Sequence, residues 1–304
     1  MQRRAGGVGG TVGFFVEVLL AGLLAGVMYS LVALCFVLIY KASGVFNFAQ
    51  GAMMFFAALS VVNLIAAGMP FWVAFVVVLA VMVLAGVAIE RLILRPLTNQ
   101  PSMTLFMAMI GLSIMIEGLG QLVWGSRPFG LELGIKDIPV DVGGVRLSQF
   151  DLFAALVAGA LVALLGLFFS RTATGRALRA VADDHQAAMS IGIPLPRMWR
   201  IVWGIAGAVA LIAGLLWGAR MGVQSGLIVV ALKALPVLIL GGFTSVAGAI
   251  VGGLIVGASE KLAEVYLGGV IGGGIENWFP YVLAMLFLLV RPNGLFGEPR
   301  IERI

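Results

Sequence analysis

The feature that most constrains this chain is a run of 48 residues, 42–89, without Asp, Glu, Lys or Arg. One straight helix of that length would measure about 72 Å, far more than a hydrocarbon core of about 30 Å. The run must therefore turn back on itself, and Gly68-Met69-Pro70 contains the residues that break helices. This pattern predicts two membrane-spanning helices joined by a tight turn.

Further apolar segments extend the same prediction along the chain. Hydrophobic residues make up 62% of the sequence and charged residues 11%, less than half the roughly 25% usual in globular domains. The segments lack the alternation of barrel strands, and 227–243 is expected to be broken or re-entrant. We predict an all-α polytopic membrane protein, a single transmembrane domain over 1–304 with eight or nine helices. The remaining candidate spans are residues 18–40, 103–124, 150–170, 201–219, 227–243, 246–262 and 278–290.

The loops differ in charge, which predicts their sides of the membrane. Loop 125–149 balances Arg127, Lys136 and Arg146 against Glu132, Asp137 and Asp141 and is expected to be external. Loop 171–200 holds five arginines against Asp183 and Asp184, and basic loops are typically cytoplasmic. The tail, with Arg291, Arg300 and Arg303, is assigned to the same side. The net charge of +5 is thereby explained without nucleic acid as a partner.

Several classes of function are excluded by missing residues. The chain has one cysteine, Cys35, and one histidine, His185, too few for a disulfide, a zinc cluster or a haem attachment. It has no G-x-x-x-x-G-K-[ST] phosphate loop and no H-E-x-x-H metalloprotease motif. We therefore expect neither an enzyme nor a metal or other cofactor in this chain.

Loop 171–200 contains a helical pattern. Between Thr174, a possible N-cap, and Gly192, a stop signal, the apolar positions follow one stripe of a helix. Arg179 and Asp183 lie four residues apart and are predicted to pair. Such a helix suits either docking of a cytosolic protein or lying on the lipid surface, and spacing alone leaves both open. The stripe comprises Leu178, Val181, Ala182, His185, Ala188 and Met189.

Polar residues within apolar segments form a second candidate site. Helix N-termini inside a membrane can bind anionic groups of a substrate, although plain connecting turns would carry the same residues. Asn47 is predicted as an N-cap, and Glu117, Lys233 and Glu260 are candidates for the pathway or for packing, because ionisable groups are costly in lipid. The tentative pathway residues are Asn47, Gln50, Glu117, Ser225, Thr244 and Ser245.

Glycines spaced four residues apart predict close helix contacts. This spacing lets the backbones of two membrane helices approach each other, and it carries no information on substrate. The pairs are Gly22 with Gly26, Gly248 with Gly252, and Gly253 with Gly257.

Stretches along nearly the whole chain resemble the permeases of branched-chain amino acid ABC importers. The first runs from 22 to 34 and continues through Gly44-Val45-Phe46-Asn47-Phe48-Ala49-Gln50-Gly51. The second, Gly175-Arg176-Ala177-Leu178-Arg179-Ala180 with Asp183, Ala188 and Gly192, is similar to that family's cytoplasmic coupling segment. The late glycine-rich helices through Glu260 and the closing segment 291–297 also fit.

The resemblance implies an assembly rather than a protein that acts alone. It implies a multi-pass permease of the bacterial inner membrane, a homologous second permease subunit, two cytoplasmic ATPase subunits that bind ATP and Mg, and a periplasmic binding protein. Segment 171–200 would then transmit closure of the ATPases to the spans. The coupling residues implied by the match are Gly175, Arg176, Arg179, Asp183, Ala188 and Gly192.

Two departures from the family pattern leave the cargo open. The chain has Gln50, Gly51 and Ala52 where the family commonly has His, Gly and an acid, and Glu117 where it often has Gln. The expected cargo is a branched-chain or similar small amino acid, and the alternative is urea, a short amide or an aromatic acid. A stand-alone channel or ion-coupled carrier is the alternative from another class.

Overall fold

The computed structural model describes residues 8–97, 100–135, 138–142, 145–292 and 294–297. Lys136, Asp137, Arg300 and Arg303, used above to assign loops, lie outside the described residues. The helices are α1 Val8–Ser43, α2 Gln50–Ala66, α3 Phe71–Ile89, α4 Arg95–Leu97, α5 Ser102–Trp124, α6 Gln149–Arg171, α7 Ala173–Asp183, α8 His185–Ser190, α9 Leu195–Met221, α10 Gly226–Leu232, α11 Ala234–Gly241, α12 Val246–Ile271 and α13 Phe279–Val290.

The helices confirm an all-α membrane fold. Among the described residues, six helices are long and apolar enough to cross a membrane, and three shorter apolar segments accompany them: Gln50–Ala66, Gly226–Gly241 and Phe279–Val290. The charge-free run 42–89 folds back between α2 and α3 as predicted, and Gly68 there has a φ of +94°. That backbone conformation is open to glycine without strain, so the turn can be tight.

Three details differ from the sequence prediction or refine it. Segment 227–243 is broken, as expected, and the break falls at Lys233 between α10 and α11. Helix α12 continues to Ile271, past the predicted end at 262, and Glu260 and Lys261 lie within it beside partners described below. Loop 125–149 contains an unpredicted antiparallel hairpin, β1 Pro139–Val142 with β2 Val145–Ser148.

The bundle has two ends of different charge, here called the basic end and the acidic end. At the basic end Trp199 Nε1 donates to Ala42 O (2.7 Å), which joins the start of α9 to the end of α1. At the acidic end Phe129 pairs with Val223, which joins loop 125–149 to the end of α9. The basic end carries Lys41, Arg91, Arg95, Arg171, Arg176, Arg179, Arg197, Arg200 and Arg291, with Glu90, Asp183 and Asp184. The acidic end carries Glu132, Asp141, Asp151, Glu264 and Glu276, with Arg127, Arg146, Arg220 and Lys261.

Two of the three predicted glycine pairs lie on α12, where they form two faces, and each face packs on a different helix. On one face, a Cβ added at Gly253 would lie 2.8 Å from Gly26 O of α1, and Gly257 touches Gly22. On the other face, Gly248 contacts Gly241 of α11 and Gly252 lies beside the backbone of the same helix. Helix α12 is therefore held between α1 and α11 with backbones in direct contact.

Candidate transport pathway and coupling surface

Asn47 and Gln50 are buried in the segment that links α1 to α2. Gln50 Nε2 donates to Ala206 O of α9 (3.4 Å), eleven residues or about 16 Å from the start of that helix. Asn47 Nδ2 donates to Gln50 Oε1 (3.0 Å), so the two amides bind each other and α9. Helix α2 thus begins inside the bundle, well away from the basic end.

The prediction that Asn47 caps α2 is wrong. The N-cap is Ala49, which makes no side-chain capping bond, and the helix starts at Gln50. Asn47 Oδ1 instead accepts from Ala49 N (3.1 Å), a local turn in which an Asn side chain bonds the backbone two residues on. That turn uses the oxygen that a capping role would have required.

The serines predicted to precede helices behave differently. Ser245 Oγ accepts from Gly248 N (3.0 Å) and caps α12, beside the partly buried Thr244. Ser225 precedes α10 but has helical backbone angles, makes no capping bond and is exposed at the acidic end. The two positions lie near opposite ends of the bundle, so they do not form one site.

Glu117 lies on a helix that is mostly exposed within this chain. In the most apolar 18-residue stretch of α5, 17% of the stretch is buried within this chain, whereas the value for α9 is 78%. Glu117 is half-buried, and its Oε1 accepts from Gln121 Nε2 (3.2 Å). Among the described residues no cation lies within ion-pair distance of this carboxylate. A carboxylate at that depth requires water or a polar neighbour on the open side of α5.

Lys233 and Glu260 form a buried ion pair. Lys233 Nζ lies 3.2 Å from Glu260 Oε1, and the residues are 7% and 3% exposed. The hydroxyl of Tyr29 on α1 donates to the same Oε1 (3.1 Å). The break between α10 and α11 thus places a cation against an anion of α12, while Glu260 Oε2 is buried without a hydrogen-bond partner among the described residues.

A second ion pair was missed by the sequence analysis. Arg220 Nη1 at the end of α9 lies 3.2 Å from Asp151 Oδ1 in the first turn of α6. The Arg220 guanidinium also lies 5.7 Å from the ring centroid of Trp217, in cation–π range. Both residues lie at the ends of predicted spans. A charged residue at the end of a span was the sequence feature that could have indicated a role for each of them. Nothing in their spacing, 69 residues apart, indicates that they meet.

Within segment 171–200, residues 173–190 form two short helices, α7 and α8, and the prediction of one helix is wrong. Asp184 has an extended backbone (φ −155°, ψ 111°) that ends α7, and its carboxylate accepts from Gln186 N (2.8 Å) and Ala187 N (3.0 Å) to start α8. The cap of α7 is Thr172, which accepts from Gly175 N (2.9 Å), rather than Thr174. The end predicted at Gly192 is observed, with a φ of +84°.

The two helices bury one side and expose the other. Leu178, Val181 and Ala188 are buried against the bundle, and Gly175 touches the backbone of the preceding helix at Phe168 and Phe169. The side chain of His185 lies outside the described residues. The predicted pair of Arg179 with Asp183 is not formed, because Arg179 Nη2 donates to Ser170 O (3.4 Å). The exposed or half-exposed residues include Arg176, Arg179, Asp183, Met189, Ile191 and Gly192.

Comparison with known proteins identifies the family. Residues 18–291 match the family described as "Branched-chain amino acid transport system / permease component". The chain belongs to this family. It is a permease subunit of an ABC importer, hence a non-enzymatic component, and a multi-pass protein of the bacterial inner membrane.

Relatives of similar length support the assignment. The chain is 29% identical to the high-affinity branched-chain amino acid transport system permease protein LivH of Escherichia coli, over 96% of this chain and 98% of that protein. It is 28% identical to the corresponding protein BraD of Pseudomonas aeruginosa, over 95% and 98%. The fold resembles that of PsaBC from Streptococcus pneumoniae in complex with Fab, with a TM-score of 0.53, 15% identity and coverage of 94% and 98%.

Proposed function

We propose that this chain forms, with a homologous second permease subunit, the membrane pathway for branched-chain or similarly small amino acids. Two cytoplasmic ATPase subunits that bind ATP and Mg would drive transport, and a periplasmic binding protein would deliver the substrate. The cargo is proposed from LivH and BraD, which are named for branched-chain amino acids and match nearly the whole of this chain. The observation that carries the assembly is the two-helix segment 171–200.

The basic end of the bundle faces the cytoplasm in this proposal, and the acidic end faces the periplasm. The concentration of arginines in the loops and turns of the basic end supports this orientation, because basic loops are retained in the cytoplasm. Loop 171–200 is then cytoplasmic and loop 125–149 external. The beginning of α1 lies on the external side, since α1 ends beside α9 at Ala42.

The coupling surface divides into anchoring and docking residues. Gly175 and Ala188 are buried, so their part in coupling is to hold α7 and α8 against the spans. Arg176, Arg179 and Asp183 face outward and would meet an ATPase subunit. The exposed Met189 (54%) and Ile191 (73%) add apolar contacts beside these charges. Exposed apolar side chains rimmed by charge are typical of protein interfaces and favour docking over a helix that lies on lipid.

The pathway is assigned to the open side of α5. Glu117 and Gln121 form a polar patch on a helix that buries little surface within this chain. A second permease facing α5 would enclose a water-filled path along that patch and remove the cost of a carboxylate in lipid. Asn47 and Gln50 lie deeper, where they brace α2 against α9.

Native mass spectrometry of the tagged chain, purified gently from its own host, tests the assembly. Copurification of ATPase subunits and a second permease is the expected result. Recovery of this chain alone, or only as a homo-oligomer, would favour a channel or carrier. Uptake assays with leucine, urea, acetamide and benzoate then separate the proposed cargo from the alternatives.

Variants of the docking residues test coupling. Replacing Arg179 or Asp183 by Ala should lower uptake about tenfold, while insertion and basal ATP hydrolysis persist, because the contact that transmits closure is lost. Glu132→Ala, an exposed acidic substitution at the other end of the bundle, is the matched control. Normal uptake by the Arg179 and Asp183 variants would remove segment 171–200 from the coupling role.

A further inference from the structure

A cavity of about 430 Å³ lies between α1, α9, α10 and α12 and opens toward the acidic end. This volume is in the range of small-molecule sites, which span about 300–1,000 Å³. Its polar lining consists of Tyr29, Arg220, Lys233, Glu260, Lys261 and Glu276, with Asn277 at its edge. From the sequence, Lys233 and Glu260 were candidates for the pathway or for packing, whereas the other five residues were not predicted to belong to a site.

All three ion pairs of the described residues border this one cavity. Besides Arg220 with Asp151 and Lys233 with Glu260, Lys261 Nζ lies 3.2 Å from Glu276 Oε2. Every charged member of these pairs except Asp151 lines the cavity. The lining itself holds three cations and two anions, and Asp151, the partner of Arg220, brings the charges around the cavity to three of each sign.

Charge balance selects the class of ligand. A monovalent anion or cation would leave one charge of the cavity without a counterpart, and an uncharged molecule such as urea gains little where ion pairs are already formed. A molecule that carries both charges can bind an anion and a cation of the lining at the same time, without breaking the existing pairs. We infer that the cavity binds a zwitterionic α-amino acid at the external end of the permease, apart from the path along α5, with the ammonium on Glu260 and the carboxylate on Arg220 or Lys233.

Glu260 provides the clearest evidence for a missing cation. Lys233 and Tyr29 both bind its Oε1, whereas Oε2 is buried without a partner among the described residues. Leaving a buried carboxylate oxygen unpaired costs free energy, and native proteins keep such atoms rare. A substrate ammonium supplies the donor that Oε2 lacks, and it leaves the existing pair in place.

The rest of the lining suits an aliphatic side chain. Ala25, Val229 and Val230 provide an apolar wall, and Trp217 lies beside the Arg220 guanidinium. One face of the cavity thus matches a branched hydrocarbon and the other matches the charged amino acid backbone. This inference rests on the proposed function, since it places an amino acid inside the permease.

Protection of an introduced thiol tests the site directly. Val229 lines the cavity and is 55% exposed, whereas the native Cys35 is buried, so Val229→Cys gives one accessible thiol. In the purified importer, L-leucine at twice its Kd should slow alkylation by N-ethylmaleimide about threefold. 4-Methylpentanoate, 3-methylbutylamine and urea, which lack one or both charges, should slow it much less. Leu156→Cys, an exposed control on α6, should be unaffected.

Two changes at the ion pair separate binding from structural support. The exchange Lys233→Glu with Glu260→Lys keeps a salt bridge but reverses its direction, and the double variant Lys233→Met with Glu260→Gln removes both charges together. Combined with Val229→Cys, both should retain the melting temperature to within a few degrees and lose the protection of the introduced thiol by leucine. Retained protection in either variant, or equal protection by the singly charged analogues, would overturn the inference.

The outcome for the site is distinct from the outcome for the proposed function. An importer that copurifies with ATPases and transports leucine, yet shows no protection at position 229, keeps its function and loses this site. A chain that copurifies with no ATPase subunit contradicts the proposed function, whether or not leucine slows alkylation at position 229.

Discussion

Helices α1 and α5 are both apolar and long enough to span a membrane, yet their surroundings are opposite. In α1, 83% of the most apolar 18-residue stretch is buried within this chain, and in α5 the corresponding value is 17%. Both contain glycines, but Gly22 and Gly26 of α1 touch α12, whereas Gly111 and Gly118 of α5 have nothing within 4 Å. Hydrophobicity therefore indicates which helices span the membrane. The contacts that the glycines of each helix make show which of these helices hold the subunit together.

The largest effect is expected where α1 meets α12. Replacing Gly253 by Leu would drive a side chain into Gly26 O and Ser30 N, both less than 3.0 Å from the added Cβ, and the two backbones cannot separate without breaking further contacts. We expect a loss of more than about 3 kcal/mol of stability. Gly118→Leu on α5 is the control and should change stability by less than about 0.5 kcal/mol. Thermal unfolding in detergent measures both, and equal losses would remove the contrast between the helices.

The next largest effect is expected at the buried charges of the packed side. Lys233→Met leaves Glu260 uncompensated and should cost about 3 kcal/mol. The double variant Lys233→Met with Glu260→Gln should recover most of this loss, because no buried charge remains. Lys261→Met, whose pair with Glu276 is partly exposed, should cost less than about 1 kcal/mol. Similar losses for the two lysine variants would show that burial does not set the strength of these pairs.

A smaller effect is expected at the start of α12. Ser245→Ala removes the bond to Gly248 N and should cost about 1 kcal/mol. Ser225→Ala is the matched control, since Ser225 makes no capping bond, and it should leave the melting temperature unchanged. A loss confined to the Ser225 variant would contradict the assignment of the caps.

The smallest change in stability is expected at α5. Glu117→Gln keeps the size of the side chain and its contact with Gln121, so unfolding should shift by less than about 0.5 kcal/mol. Uptake should nevertheless fall severalfold, because the carboxylate is proposed to face the pathway. Unchanged uptake combined with lowered stability would assign Glu117 to packing instead.

Local features of the fold could be predicted from the sequence. The fold-back at Gly68 and the break within 227–243 depend on the chain length that a bilayer accepts and on residues that end helices. The stop at Gly192 depends equally on neighbouring residues. These features need no knowledge of which helices become neighbours.

Contacts between distant segments could not be predicted. The glycine spacing on α12 predicted close packing, but the division of its two faces between α1 and α11 follows from tertiary structure. Tyr29, Lys233 and Glu260 meet only because α10 breaks beside α12. Errors in segment 171–200 were local: Asp184 competes with the helix by bonding its own backbone, and Thr172 caps before Thr174 can.

The contact between α1 and α12 also determines how late during synthesis the packing of α1 can be completed. Tyr29 and Glu260 are separated by 231 residues. At a synthesis rate of about 5–20 residues per second, roughly 10 to 50 seconds pass between the emergence of the first residue and the emergence of the second. During that interval α1 resides in the bilayer with its glycine face uncovered. The glycine face of α1 is thus covered only after most of the residues between Tyr29 and Glu260 have been synthesised.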